Sequence, residues 1–320
     1  MESILKWSIE NTPEDAPRTV PSAERMKELD PAIIDMILGK SDAVVMKEKL
    51  AFALDEAREE DERVEALDDF EMLVEQIDNA NSMLPVFDSF VDIDARIDLE
   101  NLKMWEPLLG LMRSPVIGVQ RHAIWIAGTA VQNNSTAQAA FLKRDPIPHL
   151  LTLLTSGDCV GSTRSKVLYC LSGALKHNAE AVRQLDKAGG WGALKAALQD
   201  PDITVRRKTA FLINTLLLQD STTGSTAAAL HSSDGPQTHG IEQTEAPSTQ
   251  GLVRAAIADH GLISALVEPP PYGADGDLQA TDDADYCDKV LMTLDTYERS
   301  GGEFGDAKRA VAGFRQARVA

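Results

Sequence analysis

QRHAIWIAGTAVQNNSTAQAAFLKRDPIPHLLTLL (residues 120–154) lies over RSKVLYCLSGALKHNAEAVRQLDKAGGWGALKAAL (residues 164–198) without a gap, Gln120 falling on Arg164. The shift of 44 puts Trp125 on Tyr169, Ala130 on Ala174, Asn134 on Asn178, Phe141 on Leu185 and Leu150 on Leu194. A third copy starts at RRKTAFLINTLLLQD (residues 206–220), where Phe211 falls on Tyr169 at a shift of 42. It resumes as LVRAAIADHGLISALV (residues 252–267), with Arg254 on Arg183 and Gly261 on Gly190. A helical period in this range is that of armadillo and HEAT arrays.

Each copy reads as three helices. The long one is predicted at Val116–Gln132, Gly161–Lys176 and Thr204–Gln219, and the second at Thr136–Leu142, Glu180–Lys187 and Leu252–Asp259. The third is predicted at Pro148–Leu154, Gly192–Leu198 and Leu262–Val267, with Pro146, Gly189–Gly190 and Gly261 at the turn before it. Such a unit cannot bury its apolar face alone, so the copies must stack. The aromatic at Trp125, Tyr169 and Phe211 then forms core or groove wall. Upstream, residues 62–81 carry Val64, Leu67, Phe70, Leu73, Val74 and Ile77 at helical spacing, as the long helix of a degenerate first copy. Leu99–Met112 would supply its two short helices.

The expected fold is therefore all-α, an armadillo-like right-handed α-solenoid of about four repeats with helical caps at both ends. The repeats span 61–267, interrupted at 82–98 and 220–250; a flexible segment (1–21) and a helical cap (22–60) precede them, and a second cap (268–320) follows. The Ser/Thr/Gly/Pro-rich interruption from Asp220 to Gln250 is expected to be a disordered loop.

Composition narrows the function. A net charge of −19 disfavours the phosphate grip that nucleic acid requires. No apolar run reaches membrane-span length, and Glu2, Lys6 and Glu10 break any signal-peptide core. Three cysteines without CxxC spacing suit a reducing compartment, so a cytoplasmic protein is expected. The six histidines form no HExxH or Cys/His cluster, and no GxSxG, GxxxxGK[ST] or GxGxxG is present. No catalytic residue, metal or cofactor is expected. PPPY (residues 269–272) fits a WW-domain ligand, or a polyproline turn after the last repeat helix. Arg121, Arg164, Arg206, Arg207 and Lys208 stand near the starts of successive long helices. They are either a basic strip facing a partner or partners of neighbouring acids.

Five phrases then combine: ILKWSIENT (residues 4–12), IDNAN (77–81), LENLKMWEPLL (99–109), IAGTAVQNN (126–134) and YCDKVLMTLDTYERSGGE (286–303). Together they resemble one family, the armadillo-type nucleotide-exchange factors of the 70-kDa heat-shock chaperone, of the fungal Fes and animal HspBP type. The resemblance implies a non-enzymatic co-chaperone that embraces the chaperone's ATPase domain with its concave face and speeds ADP release. It implies a monomer that touches neither nucleic acid nor membrane. By position on the long helices, it points to Asn79, Ala80, Asn81, Asn133, Asn134, Arg206 and Arg207 as contact residues. One departure stands out: Ser82–Asp98 separates two segments that the family runs together, as a lineage insertion or a retained intron.

Leu5, Trp7 and Ile9 have two readings. They dock as a cap on the first helices, or they form a substrate-mimicking segment for the chaperone's substrate domain. The competing reading of the whole chain is a generic armadillo adaptor for extended peptides. Such grooves carry Asn four residues after each aromatic, where this chain has Thr129, Gly173 and Thr215.

Overall fold

The computed structural model describes residues 41–82, 99–221, 249–273 and 276–318. The N-terminal segment with Leu5, Trp7 and Ile9, the predicted cap (22–60) up to residue 40, and nearly all of both interruptions lie outside them. Two compact units divide the chain, Met1–Val45 and Met46–Ala320. The first is described only from residue 41, just before α1 (Asp42–Leu54), and the account below concerns the second.

Five long helices form one layer: α2 (Glu60–Ser82), α4 (Ile117–Ala130), α7 (Gly161–Leu175), α10 (Ile203–Ser221) and α13 (Ala284–Arg299). Each packs against the next in chain order. Short helices back them: α3 (Trp105–Leu111), α5 (Ser135–Leu142), α6 (Ile147–Thr155), α8 (Ala179–Lys187), α9 (Gly190–Ala197), α11 (Leu252–Asp259), α12 (Leu262–Val267) and α14 (Lys308–Gln316). Helix α3 lies on α4, α6 on α7 and α9 on α10, while α6 meets α9 directly. The only β-pairing among the described residues is a bridge between Tyr272 and Leu278. This is an all-α helical repeat array.

The period is visible in the turns. After each of the first two copies' long helices the chain takes one left-handed residue, Asn133 (φ 52°) and His177 (φ 55°). An asparagine then caps the next helix. Asn134 Oδ1 accepts from the Ala137 N–H and Asn178 Oδ1 from the Ala181 N–H, both at 3.0 Å. The turn before the third helix repeats too, with φ of 48° at Asp145, 76° at Gly189 and 63° at Gly261. In the first copy the special conformation thus belongs to Asp145, not to the adjacent Pro146.

Asp220 occupies the place of Asn134 and Asn178 in the third copy, but the chain leaves there and returns near residue 249. Asp220 still caps. Its Oδ1 accepts from the Gly251 N–H at 2.9 Å and its Oδ2 from the Arg254 N–H at 3.1 Å, while the Thr249 hydroxyl also donates to it. It is 6% exposed. The other interruption begins at the end of α2, so both excursions start from the C-terminal ends of long helices.

Buried polar side chains stitch the copies together. The amide nitrogen of Gln138, 4% exposed, donates to the Val131, Gly173 and Lys176 carbonyls, and its oxygen accepts from Asn178 Nδ2. It thereby satisfies carbonyls at the open end of α7. The apolar core runs the length of the unit. The Trp105 and Phe141 rings lie 5.4 Å apart between the first two copies, and the Tyr286 hydroxyl donates to the Leu266 carbonyl between the last repeat and α13.

One predicted element is corrected. Residues 99–103 are a turn, not a helix: the Met104 N–H donates to the Leu99 carbonyl and Lys103 is left-handed (φ 57°). That backbone closes the segment on itself, and only α3 follows.

Candidate partner-binding surface

The long helices offer one continuous side-chain face, because their other sides are consumed by neighbours and by the short-helix layer. On α10, Thr204, Arg207, Lys208, Phe211, Thr215 and Leu218 are accessible and form a stripe at helical spacing. Phe211 is 48% exposed and Leu218 45%, with Met72 on α2 and Met292 on α13 more than half exposed. Trp125 and Tyr169 are half-buried on α4 and α7. The aromatic at this repeat position lies on the accessible side of the long helices rather than in the core.

One polar rung crosses the first three long helices, and a second joins the first two. Glu71 accepts from the Thr129 hydroxyl at 2.7 Å, and Thr129 in turn meets the Tyr169 hydroxyl at 3.3 Å. Alongside, Asp68 lies 3.1 Å from His122 Nε2, whose Nδ1 faces the Gly118 carbonyl at 2.7 Å. The Lys166 ammonium sits 3.3 Å above the Trp125 ring centroid and 5.9 Å from that of Tyr169. Lys208 stands one repeat further on and donates to the Ser165 carbonyl. Burial, Lys208 and Arg121 pull the Lys166 pKa down to about 8, against the opposing pull of Glu71 and Asp68. Burial also lowers that of Lys208.

Among the described side chains, the predicted contact residues do not gather in one place. Arg206 is fully buried. Its guanidinium donates to the Asp200, Gln199 and Pro270 carbonyls and stacks 5.1 Å from the Tyr272 ring, so it presents nothing to a partner. Arg207 forks onto both oxygens of Asp283, the N-cap of α13, and is one-third exposed. The Asp283 carboxyl is held below the usual carboxylate range, chiefly by that fork. Both arginines anchor the segment that follows the repeats. Arg164 is likewise buried, forked onto Asp200 at 2.6 and 3.0 Å. These three are the acid-paired or carbonyl-paired cations that the strip reading competed with.

Asn134 is a helix cap, as described above. Asn133 is exposed at the rim, with its Oδ1 accepting from Lys176 Nζ at 3.2 Å. Asn79, Ala80 and Asn81 fall in the last turns of α2; their side chains lie outside the described residues. The PPPY segment is no free ligand: Pro270 and Tyr272 are engaged by Arg206, and the Tyr272 backbone pairs with Leu278. Lys166 was not singled out by sequence. The signal was the spacing itself, since His122, Lys166 and Lys208 each precede the repeated aromatic by three residues.

Among the described residues no group of His, Cys, Asp or Glu is placed to hold a metal. No described helix is long and apolar enough to cross a membrane. Two designed armadillo repeat proteins superimpose with TM-scores of 0.51 and 0.52, at 14% and 13% identity, covering 88% and 87% of this chain and 98% of each of theirs. They show the fold alone. Residues 1–83 match the family model described as nucleotide exchange factor Fes1, and residues 101–246 match the SIL1/FES1/HPBP1 C-terminal domain. The Hsp70 nucleotide exchange factor FES1 of Mycosarcoma maydis is 36% identical, over 92% of this chain and 82% of the relative. The chain belongs to the Fes1 family. A second Fes1 protein, from Cryptococcus neoformans, is 35% identical over 91% of this chain and 73% of its own length. The two Fes1-family matches stop and resume on either side of the stretch flagged as an interruption after α2.

Proposed function

We propose that this chain binds the ATPase domain of a 70-kDa heat-shock chaperone on the face of its long-helix layer and thereby accelerates ADP release. Family membership carries the reading: the Mycosarcoma maydis relative, matched over 82% of its length, is an Hsp70 nucleotide exchange factor. The chain is accordingly a nucleotide-exchange co-chaperone, and it is not an enzyme. Its partner is Hsp70.

The finer picture is our own. The array forms about four right-handed repeats between helical caps, with the long-helix face concave. Trp125, Lys166, Tyr169, Lys208 and Phe211 line that face, and Asn133 and the end of α2 with Asn79–Asn81 lie toward its rim. Exchange requires differential affinity: the face must hold the open ATPase domain more tightly than the ADP-closed one. ADP then weakens factor binding by the same ratio. The protein acts as a monomer in the cytosol, without nucleic acid or membrane; its acidity and three free cysteines support this. The segment with Leu5, Trp7 and Ile9 acts on the substrate domain or as a cap.

The test preloads the chaperone with a fluorescent ADP analogue and chases with excess ATP. The chain should accelerate release, and reversal of Lys208 to Glu should reduce the effect at unchanged helical content. Unaccelerated release by the intact chain would overturn the reading.

A further inference from the structure

Lys166 is held in a way that a resting lysine has no need of. Its ammonium lies against the Trp125 ring, half-buried, with no carboxylate among the described residues in ion-pair reach. The groups facing it among the described residues are few. From α4 come Trp125, His122 and Arg121, the last donating to Ser162 Oγ at 3.4 Å; from α10 comes Lys208; from its own helix, Tyr169. The two acids that reach it, Asp68 and Glu71 of α2, are spent on His122 and Thr129. Three cations thus converge in a chain of net charge −19, opposed among the described residues only by Asp68 and Glu71, and by Asp202 beside Lys208, none of them in ion-pair contact with Lys166. A surface this acidic has acids to spare, so leaving that spot bare is costly unless something arrives to fill it.

We propose that Lys166, seated on Trp125 and flanked by Lys208 and Arg121, is the receptor for a carboxylate side chain of the protein partner. The inference rests on the chaperone-binding reading above and adds the chemistry of one contact. A carboxylate fits better than a phosphoryl group, because the cations stand beyond the first helical turn, where backbone N–H groups are already bonded within the helix. The aromatic wall holds the ammonium in place and excludes water from the pair. In the free protein the crowding of cations and burial bring the amine to about 8. An arriving carboxylate favours the charged form and raises it. Binding is then coupled to proton uptake at Lys166, and by linkage the affinity is full below that value and falls as pH rises through it.

Calorimetry on the full chain and the nucleotide-free ATPase domain reads this directly. Titrations at pH 8 in buffers of different ionisation enthalpy should show about half a proton more taken up by wild type than by Lys166→Arg. Between pH 7 and 9 the wild-type affinity should fall about tenfold more steeply than that of Lys166→Arg, which stays charged and keeps its pH 7 affinity. Lys166→Met should bind weakly at every pH. Equal proton counts and parallel pH profiles for wild type and Lys166→Arg, with binding and exchange intact, would overturn the carboxylate contact and leave the exchange function standing. Inorganic phosphate alone abolishing the proton difference would identify a small-anion site and also overturn it. No binding by any form would overturn both.

Discussion

Arg206 and Lys208 stand two positions apart on one helix and do opposite things. The side chain of Arg206 turns inward and satisfies three carbonyls, two at the helix start and one at Pro270. Arg206→Ala orphans all three and opens a cavity, which should cost about 3 kcal/mol in urea unfolding. Arg206→Lys should recover little of it, because one ammonium cannot span the same acceptors. Arg207 and Asp283 are a milder case. The carboxyl is depressed by the guanidinium fork, so its stabilisation is present above the unfolded value near 4 and is lost as pH falls through the lower folded value. Asp283→Asn keeps the cap but loses the charge. It should be less stable than wild type at pH 7 by about 1 kcal/mol, given the exposure of Arg207, and that gap should close in acid titrations below about pH 4. Sequence alone could not separate these arginines from Lys208. What buries them is a segment more than sixty residues away, and only folding brings it back.

At the scale of elements the sequence was far more informative. Shifts of 44 and 42 placed the helices of three copies within a residue or two of their observed ends, because periodic apolar positions leave a stacked helix little freedom. The degenerate copy upstream of these was less readable. Lys103 adopts a left-handed turn that its residue type does not advertise, so a helix was expected where the chain turns. The caps are a shared device. Asn178→Ala should cost about 1 kcal/mol through the lost bond to the Ala181 N–H. Asp220→Ala should cost more, about 2 kcal/mol, because one carboxylate serves Gly251, Arg254 and Thr249 together. Equal losses in paired urea melts would mean that the acid is only an ordinary cap.

For the molecule as a whole, the array is a chain of nearest-neighbour interfaces, and its ends need cover. Helix α13 covers the last repeat: it packs along α10, its N-cap takes Arg207, and its Tyr286 reaches Leu266. A chain ending at Glu268 should therefore lose more than one helix. It should unfold with a broadened, less cooperative transition by circular dichroism, whereas a C-terminal appendage acting independently would leave the remaining repeats as stable as before. The layer of long helices was legible in the sequence, and the chemistry of its exposed side was not. Which cations face out depends on what each interface consumes.

Asp220 bonds Thr249, Gly251 and Arg254, so the described residues on either side of the interruption in the third copy lie side by side. Where the two ends of a connection are already held together, doubling its length costs only about 0.6 kcal/mol of closure entropy. The length of that excursion is therefore nearly free to drift, and a compact domain with adjacent termini, such as a fluorescent reporter, can be grafted between residues 221 and 249 without disturbing the stack.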